Sequence, residues 1–134
     1  FGYAGGLFAA SVSWNPGAGS WAFTSDRNLK DRFETVDPKT VLEKVSRLPI
    51  AEWSYKGSTQ RHIGAMAQDF HELFPLNDDD TRLNDLDLHG VALAAIQGLN
   101  QKVEEKNSEI RELKERLSRL EALINKTPRQ SNNR

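Results

Sequence analysis

The sequence predicts a small α+β unit that runs into a long C-terminal coiled-coil helix and is preceded by a short β-rich stalk end. Three observations carry this. Residues 1–24 are Gly-rich, aromatic and β-like, mixed helix and strand signals follow between Asp37 and Phe74, and a heptad of apolar residues runs from Ile96 to Ile124.

In the first segment, SVSW and SWAF alternate around the turn signal NPGAG in the manner of a hairpin, with Val12 sharing a face with Trp14 and Trp21 with Phe23. A two-stranded ribbon alone is marginal in water, so this segment requires neighbours from upstream sequence or from other chains. The chain opens on Phe1, which reads as a fragment or processed product whose main body precedes it.

From Asp37 the signals turn helical. Asp37 suits an N-cap, Pro38 the first helical position, and Val41, Leu42, Val45 and Leu48 recur at three-to-four spacing until Pro49 ends the helix. IAEWSY reads as a short strand with Ala51, Trp53 and Tyr55 on one face. HIGAMA reads as a second strand leading into the amphipathic AQDFHELF. The stretch from Pro75 to Gly90 is expected to be a solvated acidic loop, because Asp78, Asp79 and Asp80 lack the spacing and Gly of a calcium loop.

Beyond Gly90, Ile96, Val103, Ile110, Leu117 and Ile124 fall at heptad position a, with Leu99, Leu113 and Leu120 at d and Lys106 as a polar interruption. Glu109 and Arg116 at g face Lys114 and Glu121 at e of a neighbouring helix with opposite sign. A helix of about 50 Å at 1.5 Å per residue is too long to share a globular core or to find a partner within the chain, so its partners are other copies. Ile or Val at a with Leu at d leans towards two strands, whereas RLSRLE at residues 116–121 resembles a trimer-favouring pattern. The four units are therefore 1–24, 25–90, 91–126 and a disordered tail, 127–134.

Composition excludes several function classes. Eighteen basic residues against nineteen acidic ones, interspersed, create no basic field for nucleic acid. No apolar stretch is long enough to span a bilayer and no signal-peptide pattern is present, so no membrane partner is expected. The absence of cysteine removes disulfides and thiolate-bound metals, and leaves the redox compartment open. His62, His71 and His89 have no mutual ligand spacing, so neither a metal nor another cofactor is expected.

The seam at WAFTSDRNLKDRF is the point of chemical interest. An offset of five places Ser25 and Lys30 about 140° apart on a helix and on opposite faces of a strand. Only a turn brings them together, and SDRN supplies turn residues.

SDRNLKDRF, LPIAEWSY, RHIGAMAQDFHELFP and LDLHGVALAAIQGLNQKVEE, in that order, resemble the C-terminal intramolecular chaperone domain of phage endosialidases, tailspikes and tail fibres. The resemblance spans roughly residues 25–125. It implies a parallel homotrimer that helps an upstream β-structured fibre or spike of the same polypeptide to fold in the host cytoplasm. The domain is then released by self-cleavage, leaving the upstream part in the virion tail. It makes Ser25 the nucleophile of a single-turnover serine endopeptidase, Lys30 its base and Thr24–Ser25 the scissile bond. Asp26 and His62 match further positions involved in cleavage, and the apolar a and d residues from Ile96 to Ile124 form the subunit interface. Two other readings remain: a trimerisation cap that never cuts, and a plain coiled-coil oligomerisation module. Asp26 as a mere turn cap, His62 as an ordinary partly buried histidine, and Trp53 and Tyr55 as packing are the structural alternatives.

Overall fold

The computed structural model describes residues 12–126; the expectations for residues 1–11 and for the tail 127–134 lie outside the described residues. Strands β1 (Val12–Asn15) and β2 (Ser20–Phe23) form an antiparallel hairpin, with Val12 opposite Phe23 and Trp14 opposite Trp21. Its turn, Pro16 to Gly19, closes with Gly19 at φ 60°, a left-handed conformation that glycine adopts without a Cβ penalty. Alternation puts Val12, Trp14, Trp21 and Phe23 on one face, where the two indole rings meet edge to face at 5.4 Å. All four side chains are exposed, so this face has no cover within the described residues.

Helix α1 (Pro38–Arg47) starts as its sequence dictates. The Asp37 carboxylate accepts from the backbone N–H groups of Lys39 and Thr40 and from the Thr40 hydroxyl, and Pro38 needs no partner for a missing N–H. The Thr40 hydroxyl, the largest of these influences, holds the Asp37 carboxyl below its ordinary value. Strands β3 (Ala51–Trp53) and β4 (His62–Gly64) pair antiparallel with Trp53 opposite His62, and α2 (Ala67–Leu73) follows directly. The Lys44 ammonium donates to the Leu73 carbonyl at 2.9 Å, satisfying an orphan acceptor at the C-terminal end of α2, and lies over the Phe74 ring.

Helix α3 (Asp85–Lys126) has 42 residues, about 63 Å at 1.5 Å per residue. It corrects the sequence reading at its start, since Asp85 to Gly90 are helical rather than part of the acidic loop. Asn84 is the cause: its side chain accepts from Leu86 N–H and its carbonyl from Leu88 N–H, while Asp85 and Asp87 complement the positive end of the helix dipole.

A second correction follows. The first turns of α3 do share the globular core, which consists of Val41, Phe70, Phe74 and Ala95, with Leu42, Val45, Leu73, Leu83, Leu88, Val91 and Ala94 packed around them. Helix α1 lies along the face of α3 that carries Leu88, Val91, Ala95 and Gly98, and the contact ends in the ion pairs Glu43–Lys102 and Lys39–Glu105. At 100° per residue this face lies about 110° around the helix from the heptad stripe. The stripe is therefore left open, with Ile96, Leu113 and Ile124 at 62%, 59% and 72% exposure. Lys106, the polar d position, ion-pairs with Glu109 in its own chain at 2.8 Å, and this contact raises the ammonium above the ordinary lysine value.

Gly98 is where the two helices approach most closely. A Cβ there would come within 2.7 Å of the Pro38 carbonyl carbon and nearer still to its oxygen, backbone atoms that have no rotamer with which to yield. Gly98→Ala is therefore expected to lower the melting temperature, with overpacking of about 1–3 kcal/mol exceeding the helix-propensity gain of about 1 kcal/mol. Gly90→Ala, where a Cβ would meet nothing within 4 Å, is expected to raise it. Thermal unfolding followed by circular dichroism checks both signs.

Candidate active site

The β-hairpin ends at Phe23, and after Thr24, Ser25 and Asp26 the chain enters a single 3-10 turn, Arg27–Leu29. Asp26 builds this turn. Its carboxylate accepts from Asn28 backbone N–H at 2.9 Å and from the Asn28 amide at 3.0 Å, while its carbonyl accepts from Leu29 N–H. Lys30 N–H then bonds the Arg27 carbonyl, and Lys30 itself returns to extended backbone. This reversal carries the Lys30 side chain back to the strand end, where Nζ donates to Ser25 Oγ at 2.6 Å. A pair that neither a helix nor a strand could join is thus joined by one tight turn.

The pair is exposed in the single chain, and Thr24, on the other side of the seam, is half-buried. Of the cations near it in sequence, Arg27 lies within the turn and stacks over the Phe33 ring at 5.6 Å. Arg32 has φ 51°, a left-handed backbone uncommon for a residue with a Cβ, two positions after Lys30. Arg61 is engaged elsewhere, bonded to Glu52 across the β3–β4 pair at 3.2 Å.

His62 also has its own surroundings. Its ring stacks on Trp53 at 4.6 Å and meets Tyr55 edge on at 5.7 Å, and no hydrogen bond among the described residues joins it to Ser25 or Lys30. The aromatic cluster borders a groove of about 540 Å³ whose walls include Met66, Gln68 and Leu83. The structure thus brings together Ser25, Asp26 and Lys30 and sets His62 in a separate aromatic cluster. Asn28, read in the sequence only as one of the turn residues of SDRN, locks the turn through Asp26, and the Asx-turn spacing Asp26-x-Asn28 is the signal for that bond.

Chemically, a hydroxyl hydrogen-bonded to an amine beside its own upstream peptide bond is equipped for intramolecular acyl transfer. No group of His, Asp and Glu within one chain could hold a metal ion among the described residues. Residues 25–77 match a peptidase family model described as chaperone of endosialidase, and the match begins at Ser25, on the C-terminal side of the seam. Neither a curated protein nor a solved structure matches the chain.

Proposed function

Since residues 25–77 match the family model described as chaperone of endosialidase, we propose that this chain is a trimerising intramolecular chaperone for the β-structured segment that precedes it, released by autoproteolysis between Thr24 and Ser25. The observation that carries the cleavage reading is the 2.6 Å hydrogen bond between Lys30 Nζ and Ser25 Oγ at the first residue of the family match.

In the proposed reaction Ser25 Oγ attacks the carbonyl carbon of Thr24 as its proton passes to a neutral Lys30 amine. The Thr24–Ser25 C–N bond breaks, the proton moves on to the departing Ser25 nitrogen, and an ester joins Thr24 to Ser25 Oγ. Water then hydrolyses the ester, giving a Thr24 carboxylate and a restored hydroxyl. Holding nucleophile and carbonyl in adjacent residues supplies the high effective concentration of an intramolecular step. A lysine acts as base only after losing its proton, which desolvation or adjacent positive charge promotes. Ser25 and Lys30 are exposed in one chain, so this reading assigns the desolvation to neighbouring copies, with Arg27 and Arg32 as the nearby cations.

The exposed heptad stripe on α3 supports assembly with further copies, and the uncovered aromatic face of the β1–β2 hairpin supports a role as the end of a β-structured stalk. While joined, fibre and chaperone could refold together; cutting removes the assembly nucleus and makes fibre stability a matter of unfolding rate. The test is expression of the longer parent polypeptide, whole and with residues 25–134 deleted. The whole form is expected to yield a fragment of the mass that begins at Ser25 and a soluble, heat-resistant upstream trimer. The deletion is expected to yield aggregated β-chains, since unpaired strands template wrong pairings. Soluble, resistant trimers from the deletion would reject the chaperone role, and an uncut parent would leave the domain as a trimerisation cap.

A further inference from the structure

The heptad on α3 does not stop at Ile96. Counting back seven residues puts His89 at position a, and the d positions continue to Ala92 and Asp85. These three residues are exposed, on the side of α3 that α1 leaves open. We propose that in the parallel trimer, on which this inference rests, three copies of His89 converge on the axis and bind one first-row divalent transition-metal ion, with the three Asp85 carboxylates as its oxygen ligands.

Side chains on a helix lean towards its N-terminus, so the His89 imidazole rises to the level of Asp85 one turn earlier. His89 Nε2 and Asp85 Oδ1 lie 3.8 Å apart in the single chain. Neighbouring sites of an octahedron with ligand bonds of about 2.0–2.2 Å lie about 3 Å apart, so both groups reach one ion once side-chain rotation closes the pair by about 1 Å, with the helix unmoved. Within one chain these are only two donors. Three-fold symmetry makes them three nitrogens and three oxygens, an octahedral set that suits Ni²⁺, Co²⁺ or Zn²⁺ better than Mg²⁺ or Ca²⁺, which prefer all-oxygen shells.

Ala92, the next core layer down, is small and leaves room above it for three imidazole rings. Without an ion, the assembly would enclose three imidazoles and three carboxylates where the layers below enclose Ile, Leu and Val, and burying such groups unsatisfied is costly.

The experiment uses the untagged chain, freed of metal with a chelator. Sedimentation equilibrium comes first; a monomer or dimer at micromolar concentration removes the trimer reading and the axial site with it. On a confirmed trimer, calorimetric titration with NiCl₂ and with ZnCl₂ is expected to show one ion bound per three chains and a melting temperature that rises with ion concentration. His89→Leu, which keeps the heptad apolar, is expected to remain trimeric and lose this binding. Asp85→Asn is expected to weaken it by about tenfold or more. A trimer that takes up neither ion at one per three chains, or a His89→Leu trimer that binds as well as the unaltered chain, overturns the site and leaves the trimer standing.

Discussion

Lys30→Arg is expected to leave the chain uncut while preserving its fold and its oligomeric state. The guanidinium retains length, charge and the ability to donate to Ser25 Oγ, so the contact at 2.6 Å has a substitute. It stays protonated under all conditions in which the protein is folded and therefore cannot accept the hydroxyl proton. Loss of a positioned base typically costs roughly 10²–10⁴-fold in rate, and Ser25→Ala removes the nucleophile itself. Intact mass spectrometry after a fixed incubation reads both. Normal cutting by Lys30→Arg would sink the lysine-base assignment; the search would then turn to His62, which the fold places against Trp53 and Tyr55.

Replacing Ile110 and Leu117 together by Asn is expected to dissociate the assembly and abolish cutting in the same step. Both side chains are about half exposed in one chain, at 47% and 55%. Burying a large apolar side chain is worth about 1.5–3 kcal/mol, so the six such side chains of the proposed trimer contribute on the order of 10 kcal/mol to association. Neither residue touches the core built by Val41, Phe70, Phe74 and Ala95, so the folded unit is expected to survive with α3 partly frayed beyond Glu105. Sedimentation equilibrium and intact mass together give the answer. A monomeric variant that still cuts at the normal rate would show that Ser25 and Lys30 are complete within one chain, and the desolvation assigned to neighbouring copies would have to be abandoned.

How far the site was legible follows from the range of the interactions that build it. Ser25, Asp26 and Lys30 are joined within six consecutive residues by a turn whose Asp and Asn are visible in the sequence, so their meeting could be anticipated from turn chemistry. The surroundings of His62 could not, because its stacking partner Trp53 is brought opposite by a strand register that depends on the loop between them. Arg61 is a similar case. In the sequence it is one more cation available to Lys30, and in the fold it is paired with Glu52.

The sequence by itself determined the elements whose causes are local. Asp37 and Pro38 start α1, NPGAG turns the hairpin, and the heptad continues α3 to Lys126, because capping, turn geometry and helical periodicity each act within a few residues. Only the tertiary structure decided that α3 carries, beside its heptad stripe, a second face packed against α1. Ala95 and Gly98 look like weak points in a heptad helix, yet they form the seam against Pro38 and Leu42, where the absence of a large side chain lets two backbones meet. The physical reason is that periodicity records which side of a helix is apolar, whereas what covers a side depends on a neighbour far away in the chain, as α1 covers Ala95 and Gly98.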